Sequence, residues 1–240
     1  WMIYHGYENG YWTLGRQALL EPIEWTDDGW YVAKGGDLGQ PLKKPAGTSV
    51  GQHGMALSDR FDGDRLGHQW SFFNPTQDEY ERLSFGNGAM TLQGKGRTPR
   101  DTSPLTVIAG DKAYEFEIEM EIEPGAIGGA LLFYSDRLYV GVGSNGERTI
   151  MHRYGLERPS NGLPAGKGGT LWIRVKHDQH IVTIHTSKDG RTWEKYPVQM
   201  EVSGYHHNVA GGFLALKPAI YAAGEGKVHF RNFTYRALDY

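Results

Sequence analysis

Hydrophobic and polar positions alternate most cleanly between Tyr114 and Ile122, where Tyr114, Phe116, Ile118, Met120 and Ile122 interleave with Glu115, Glu117, Glu119 and Glu121. Successive side chains on a strand point to opposite faces, so this run predicts a strand with one apolar and one carboxylate face. Shorter runs predict further strands at Met90–Gln93, Gly129–Tyr134, Leu138–Val142, Thr149–Tyr154, Thr170–His177, His180–Ser187, Phe213–Tyr221 and Val228–Arg236. Turn chemistry joins some of them. His177-Asp178-Gln179-His180 links two alternating strands, and Lys188-Asp189-Gly190-Arg191 turns the second back toward Trp193. No segment predicts a helix. Short strands divided by turns at fairly regular spacing indicate an all-β antiparallel sandwich or barrel from residue 58 onward. No internal repeat recurs there, which excludes a self-contained propeller in that part.

The first 31 residues read differently. Three aromatic-rich runs, Trp1–Tyr7, Tyr11–Leu20 and Glu24–Tyr31, are divided by Glu8-Asn9-Gly10 and Asp27-Asp28-Gly29. Asn-Gly and Asp-Gly tolerate the positive φ of tight hairpin turns, so a small meander is expected. Three short strands cannot bury both faces and need a partner layer. The chain opens inside a strand-like run without an initiator methionine, as though it continued from a longer protein. Residues 32–57, broken by Gly35-Gly36, Pro41, Pro45, Gly51 and Gly54, are expected to be a surface linker.

Composition narrows the chemistry. Glycine, at 34 of 240 residues, is about twice its usual share, which suits many turns. A net charge of −3 offers no basic footprint, so nucleic acid and anionic membrane are not expected partners, whereas neutral sugars remain open. The absence of cysteine removes disulfide, zinc-thiolate and thiol chemistry and leaves the compartment undecided. No apolar run approaches the length of a membrane span, and the N-terminus has no signal-peptide pattern.

Specific residues carry a family resemblance. Tyr4-His5, Leu14-Gly15-Arg16 and Ile23-Glu24-Trp25 followed by Asp28-Gly29-Trp30 resemble the closing strands of the five-bladed catalytic propeller of family 43 glycoside hydrolases, the β-xylosidases and α-arabinofuranosidases. Four later segments resemble the concanavalin-like β-sandwich, or jelly roll, that follows that propeller. These are Leu57-Ser58-Asp59-Arg60-Phe61, Gly129-Ala130-Leu131-Leu132-Phe133-Tyr134, Ser187-Lys188-Asp189-Gly190 with Trp193, and Phe230 to Arg236. The resemblance implies three parts: the end of a propeller at 1–31, a linker at 32–57 and the sandwich at 58–240. It implies inverting hydrolysis of xylan-derived pentosides by two opposed carboxylates with room for water between them. In the family these carboxylates, and the aspartate that tunes the acid, come from earlier blades. No catalytic residue is therefore expected here, and the propeller is the expected partner. Arg16 matches the arginine that reaches the sugar pocket, and a planar five-donor fork suits hydroxyls and carboxylates alike. His5 is expected as a hydrogen-bonded core histidine.

Other readings stay open. The sandwich also reads as a lectin-like carbohydrate-binding module, or as a family 16-like hydrolase using Glu115, Glu117 and Glu119, although five like charges ending at Glu123 also describe a solvated strand face. Asp59-Arg60-Phe61-Asp62-Gly63-Asp64 offers oxygens for calcium but also reads as polar turns. The histidines His152, His177, His180, His185, His206 and His207 lack metal-ligand spacing. Trp70, Phe72, Phe73 and Tyr80 flank a loop, Asn74-Pro75-Thr76, that could lean over a propeller mouth, with core packing the simpler role for Trp70 and Phe72.

Overall fold

The computed structural model describes residues 1–7, 10–37, 40, 42–43, 46–47, 56–158 and 169–239. Much of the expected linker, and the Glu8-Asn9 pair, lie outside the described residues. Four short strands come first: β1 (Met2–Tyr7), β2 (Arg16–Glu21), β3 (Ile23–Trp25) and β4 (Tyr31–Ala33). They pair as two separate hairpins, β1 with β2 and β3 with β4. There follow β5 (Ser71–Phe72), β6 (Leu83–Gly86), β7 (Ala89–Gln93), β8 (Leu105–Thr106), β9 (Ala113–Ile122), β10 (Ala126–Ser135), β11 (Leu138–Ser144), β12 (Thr149–Arg153) and β13 (Leu156–Arg158). The chain ends with β14 (Thr170–Asp178), β15 (Ile181–Ser187), β16 (Trp193–Lys195), β17 (Met200–Glu201), β18 (Lys217–Gly224) and β19 (Lys227–Ala237).

Two large antiparallel sheets form. One runs β13-β12-β11-β10-β18-β8-β5; the other runs β16-β15-β14-β9-β19-β7-β6, with β17 also on β15. Strand β9 sits between β14 and β19, and its predicted alternation holds: Phe116, Ile118 and Met120 are buried while the intervening glutamates are half-buried. Its inner face meets Ile173, Val175, Val182, Ile184 and Phe230 of its own sheet and Ala130, Leu132, Val140, Val142 and Ile220 of the other, in one core. Burying each large side chain there contributes roughly 1.5–3 kcal/mol.

Strand β10 is apolar without alternation because both of its faces are covered. Leu131, Phe133, Tyr139, Ala219, Tyr221 and Ala223 form a second small core on the outer side of the seven-stranded sheet. Gly129 and Gly143 leave the room in which the Tyr221 ring lies, and a Cβ at either position would collide with it.

The turn between β14 and β15 has Gln179 and His180 at φ 45° and 82°, the two-residue hairpin geometry with positive φ at both central positions. Three expected strands shift. Tyr11–Leu20 is broken by a 3₁₀ turn at Trp12–Leu14 and by Gly15 at φ 71°. Glu24–Tyr31 is a hairpin of two short strands rather than one strand. Phe213–Tyr221 begins only at Lys217, since Gly211 and Gly212, at φ 71° and 69°, hold the preceding residues in a loop. A single-turn helix, α1 (His207–Ala210), stands where no helix was expected. Among the described residues no helix is long and apolar enough to cross a membrane.

Candidate functional site

The first region meets the sandwich at one end. The 3₁₀ turn Trp12–Leu14 inserts between the β14–β15 turn and the loop after α1, so Thr13 and Leu14 are buried. The Leu216 amide donates to the Thr13 carbonyl at 2.8 Å. A Cβ on Gly15 would approach Ala215 to 3.0 Å, and φ there is positive, so this close approach requires glycine. On one side, the Tyr11 hydroxyl donates to Gln179 Oε1 at 3.0 Å and Lys112 Nζ lies over the Tyr11 ring. His180 bridges Thr13 Oγ1 through Nδ1 (3.4 Å) and the Gly10 carbonyl through Nε2 (3.2 Å). The carbonyl can only accept, so Nε2 carries a proton.

On the other side lies a stack of rings. Tyr7 stacks on His207 with centroids 4.8 Å apart and planes 18° from parallel, and Trp12 packs beside both. Arg16, at the start of β2 and paired in register with Tyr7, holds its guanidinium 3.8 Å from the Phe213 ring centroid and 5.9 Å from that of Tyr7. Its five donors meet no acceptor among the described residues, so the fork is free to take hydroxyls or a carboxylate. Phe213 itself is 65% exposed. The Tyr134 hydroxyl donates to the Gly211 carbonyl at 2.7 Å and thereby ties down the loop that carries Phe213. Tyr7 Oη and His207 Nδ1 are buried without a hydrogen-bond partner among the described residues. Phe213 was not among the sequence candidates for this candidate site, and His207 was weighed there only as a metal ligand. The Gly211-Gly212 pair before Phe213 was the available signal for a loop.

The remaining candidates separate from this site. Glu115 pairs with Arg174 and Arg236, Glu117 with Arg174, and Glu119 accepts from Asn232 Nδ2. Arg231 and His229 continue the ladder to Glu121 and Glu123. Each carboxylate is taken up by a cross-strand partner, which suits a solvated face and leaves no opposed pair around a water. Asp59 spends Oδ1 on the Phe61 amide and Oδ2 on Gln69 and Trp70 Nε1, so it is a buttress for Trp70. No group of three His, Cys, Asp or Glu that could hold a metal occurs among the described residues. Trp70 and Phe72 are buried in the core and Tyr80 packs edge-on against Phe72. His5 is exposed on β1, because only one face of the β1–β2 hairpin is covered.

Asp189 organises the turn after β15. The amides of Thr192 and Arg191 and the Ser187 hydroxyl donate to it and hold its carboxyl well below the usual carboxylate range. A cavity of about 280 Å³ beside that turn, lined by Thr149, Leu171, Thr186 and Thr192 among others, lies at the opposite end of β14 from the junction.

Two large antiparallel sheets around one core define the protein as a concanavalin-like sandwich. Residues 58–236 match the family described as the beta xylosidase C-terminal concanavalin A-like domain, and the chain belongs to this family, the C-terminal sandwich of family 43 glycoside hydrolases. The chain is 24% identical to the non-reducing end alpha-L-arabinofuranosidase BoGH43B of Bacteroides ovatus, covering 95% of this chain and 46% of that protein. It is also 24% identical to a putative beta-xylosidase of Escherichia coli K12, covering 85% and 41% respectively. Among solved structures, the family 43 protein BlXynB of Bacillus licheniformis superposes with a TM-score of 0.80 at 20% identity, over 94% of this chain and 48% of that one. The chain thus spans less than half the length of these relatives.

Proposed function

We propose that this chain is the C-terminal portion of a pentoside-cleaving glycosidase, in which residues 1–31 complete the catalytic propeller, 32–57 link it onward, and the sandwich both braces the propeller and borders its sugar pocket. The observation that carries this reading is the Phe213 ring against the Arg16 guanidinium at 3.8 Å, an aromatic from the sandwich meeting the arginine expected to face substrate. A guanidinium clamped by rings keeps its in-plane donors for sugar hydroxyls, and the exposed Phe213 supplies an apolar wall of the kind sugar sites use. The names of the relatives, an arabinofuranosidase and a β-xylosidase, support pentosides as the substrate class. The two hydrolytic carboxylates come from the propeller, outside this chain. The exposed Trp1, Ile3, His5 and Trp25 side chains then become blade surface covered by the rest of the propeller.

The test is hydrolysis of aryl β-xylosides and aryl α-arabinofuranosides by the full-length gene product and by these 240 residues alone. The full product should turn over one or both, with Arg16→Ala losing activity; the isolated chain should be inert. Turnover by the isolated chain, or an unaltered Arg16→Ala enzyme, would sink the reading.

A further inference from the structure

We propose that His207 is a positioning residue that sets the Arg16–Phe213 pair, an inference that rests on the reading of Arg16 as a substrate-facing group. The two rings on which the Arg16 guanidinium lies come from different parts of the chain, Tyr7 from β1 and Phe213 from the loop after α1. No ring contact joins Tyr7 to Phe213 directly among the described residues. His207 touches both, at 4.8 Å from Tyr7 and 5.7 Å from Phe213, and is packed from the side by Trp12 at 5.5 Å.

The backbone makes this placement consequential. His207 opens the single turn of α1, where the His206 Nδ1 accepts from the Asn208 amide, and the turn ends four residues later in Gly211 and Gly212. Both glycines hold a positive φ and neither is closely surrounded, so Phe213 sits between the Tyr134 hydroxyl bond to Gly211 on one side and the core-packed Leu214 and Leu216 on the other. Val209 and Phe213 are largely exposed. The Leu216–Thr13 bond and the Gly15–Ala215 approach fix the far end of this loop to the first region, and the His207 ring links the Phe213 side chain itself to Tyr7. Its Nδ1 is buried without an acceptor, so the ring acts here through its faces and not through a hydrogen bond there. A phenyl ring should replace it, and an alkyl side chain should not.

The test has two arms. In the 240-residue chain, NMR reads the Arg16 δ protons and Nε–H, which the stacked rings shift upfield. His207→Ala and the bulkier ringless His207→Leu should both lose that shift, while His207→Phe retains it. In the full-length gene product the same Ala and Leu variants should raise KM for an aryl pentoside about three- to tenfold, the range of a lost cation–ring contact, with kcat within about twofold. His207→Phe should restore KM. An unchanged Arg16 signal in both ringless variants, or a His207→Phe protein that behaves like His207→Ala, overturns the proposal. A displaced Arg16 with unchanged KM overturns instead the assignment of Arg16 to the substrate.

Discussion

The first region and the sandwich use the same local grammar of short antiparallel strands and tight turns, yet they end in opposite states. In the sandwich a second sheet covers the apolar face, and Phe116, Ile118, Met120 and Phe230 are fully buried. In the first region the strands are just as rich in large apolar side chains, but Ile3 is 78% exposed, Trp25 71% and Trp30 72%. Two-stranded hairpins have no layer of their own to bury such a face. Apart from Glu21, which accepts from the Gly35 amide, what is buried there, Thr13 to Gly15, is the part that touches the sandwich. A run of apolar side chains on a strand therefore offers a surface, and only topology decides whether anything covers it. A contiguous exposed apolar surface marks a contact with something else.

The largest expected effect exploits that contrast directly. Phe230→Ala removes a fully buried ring between β9 and β7 and should destabilise the chain by about 3–5 kcal/mol in urea titrations. Ile3→Ala, a change of similar kind on β1, should stay within about 0.5 kcal/mol. Equal losses would mean that the first region has a core after all.

Acid should act next, and also unevenly. Burial pushes His152 and His177 down to about 4 from the ordinary 6.5, so each stays neutral in the fold where the unfolded chain would already be protonated. The unfolded state binds more protons between those values; stability is therefore full above pH 6.5 and falls as pH drops toward 4, by about 3 kcal/mol per histidine. Glu79 follows at lower pH. Its burial would raise it, but Lys95, Thr76 and Arg82 outweigh that and hold it at about 2, so its contribution is present above 4.5 and lost as pH falls through 2. His177 lies inside the sandwich, against Tyr114, one turn away from the His180 that grips the first region. His177→Leu should flatten the slope between pH 6.5 and 4 by about half. An unchanged slope would move the titrating group elsewhere.

How much of this was legible before the fold was known follows the range of the interactions. Tyr114–Ile122 carries its alternation in adjacent residues, and the Gln179-His180 and Asp189-Gly190 turns depend on local backbone conformations that a few residues specify. Strand β10 was harder, since burial on both faces erases alternation and depends on Gly129 and Gly143 admitting Tyr221 from β18. The site divides in the same way. Arg16 was visible through a short motif, whereas Phe213 and His207 gain meaning only when a loop some 200 residues away in the chain is laid on β1 and β2. Gly211 and Gly212 are what turn an expected strand into that loop.

The smallest expected effect concerns the glutamate face, where the pattern invited a catalytic reading. Glu115 and Glu117 share Arg174, Glu119 takes Asn232, and the basic partners on β19 extend the row, all on the open side of the eight-stranded sheet. Pairs this accessible gain little over water, about 0–1 kcal/mol each, and salt screens them further. Glu119→Gln keeps an oxygen for the Asn232 amide, so it should change stability by no more than about 0.5 kcal/mol and leave any glycosidase activity of the full-length protein as it was. A hydrolytic carboxylate behaves otherwise, because replacing it removes the step that breaks the bond, and the loss in kcat is orders of magnitude. If Glu119→Gln abolished activity while stability stayed constant, the sandwich would be a catalyst, and the proposed division between a bracing sandwich and a catalytic propeller would have to be reversed.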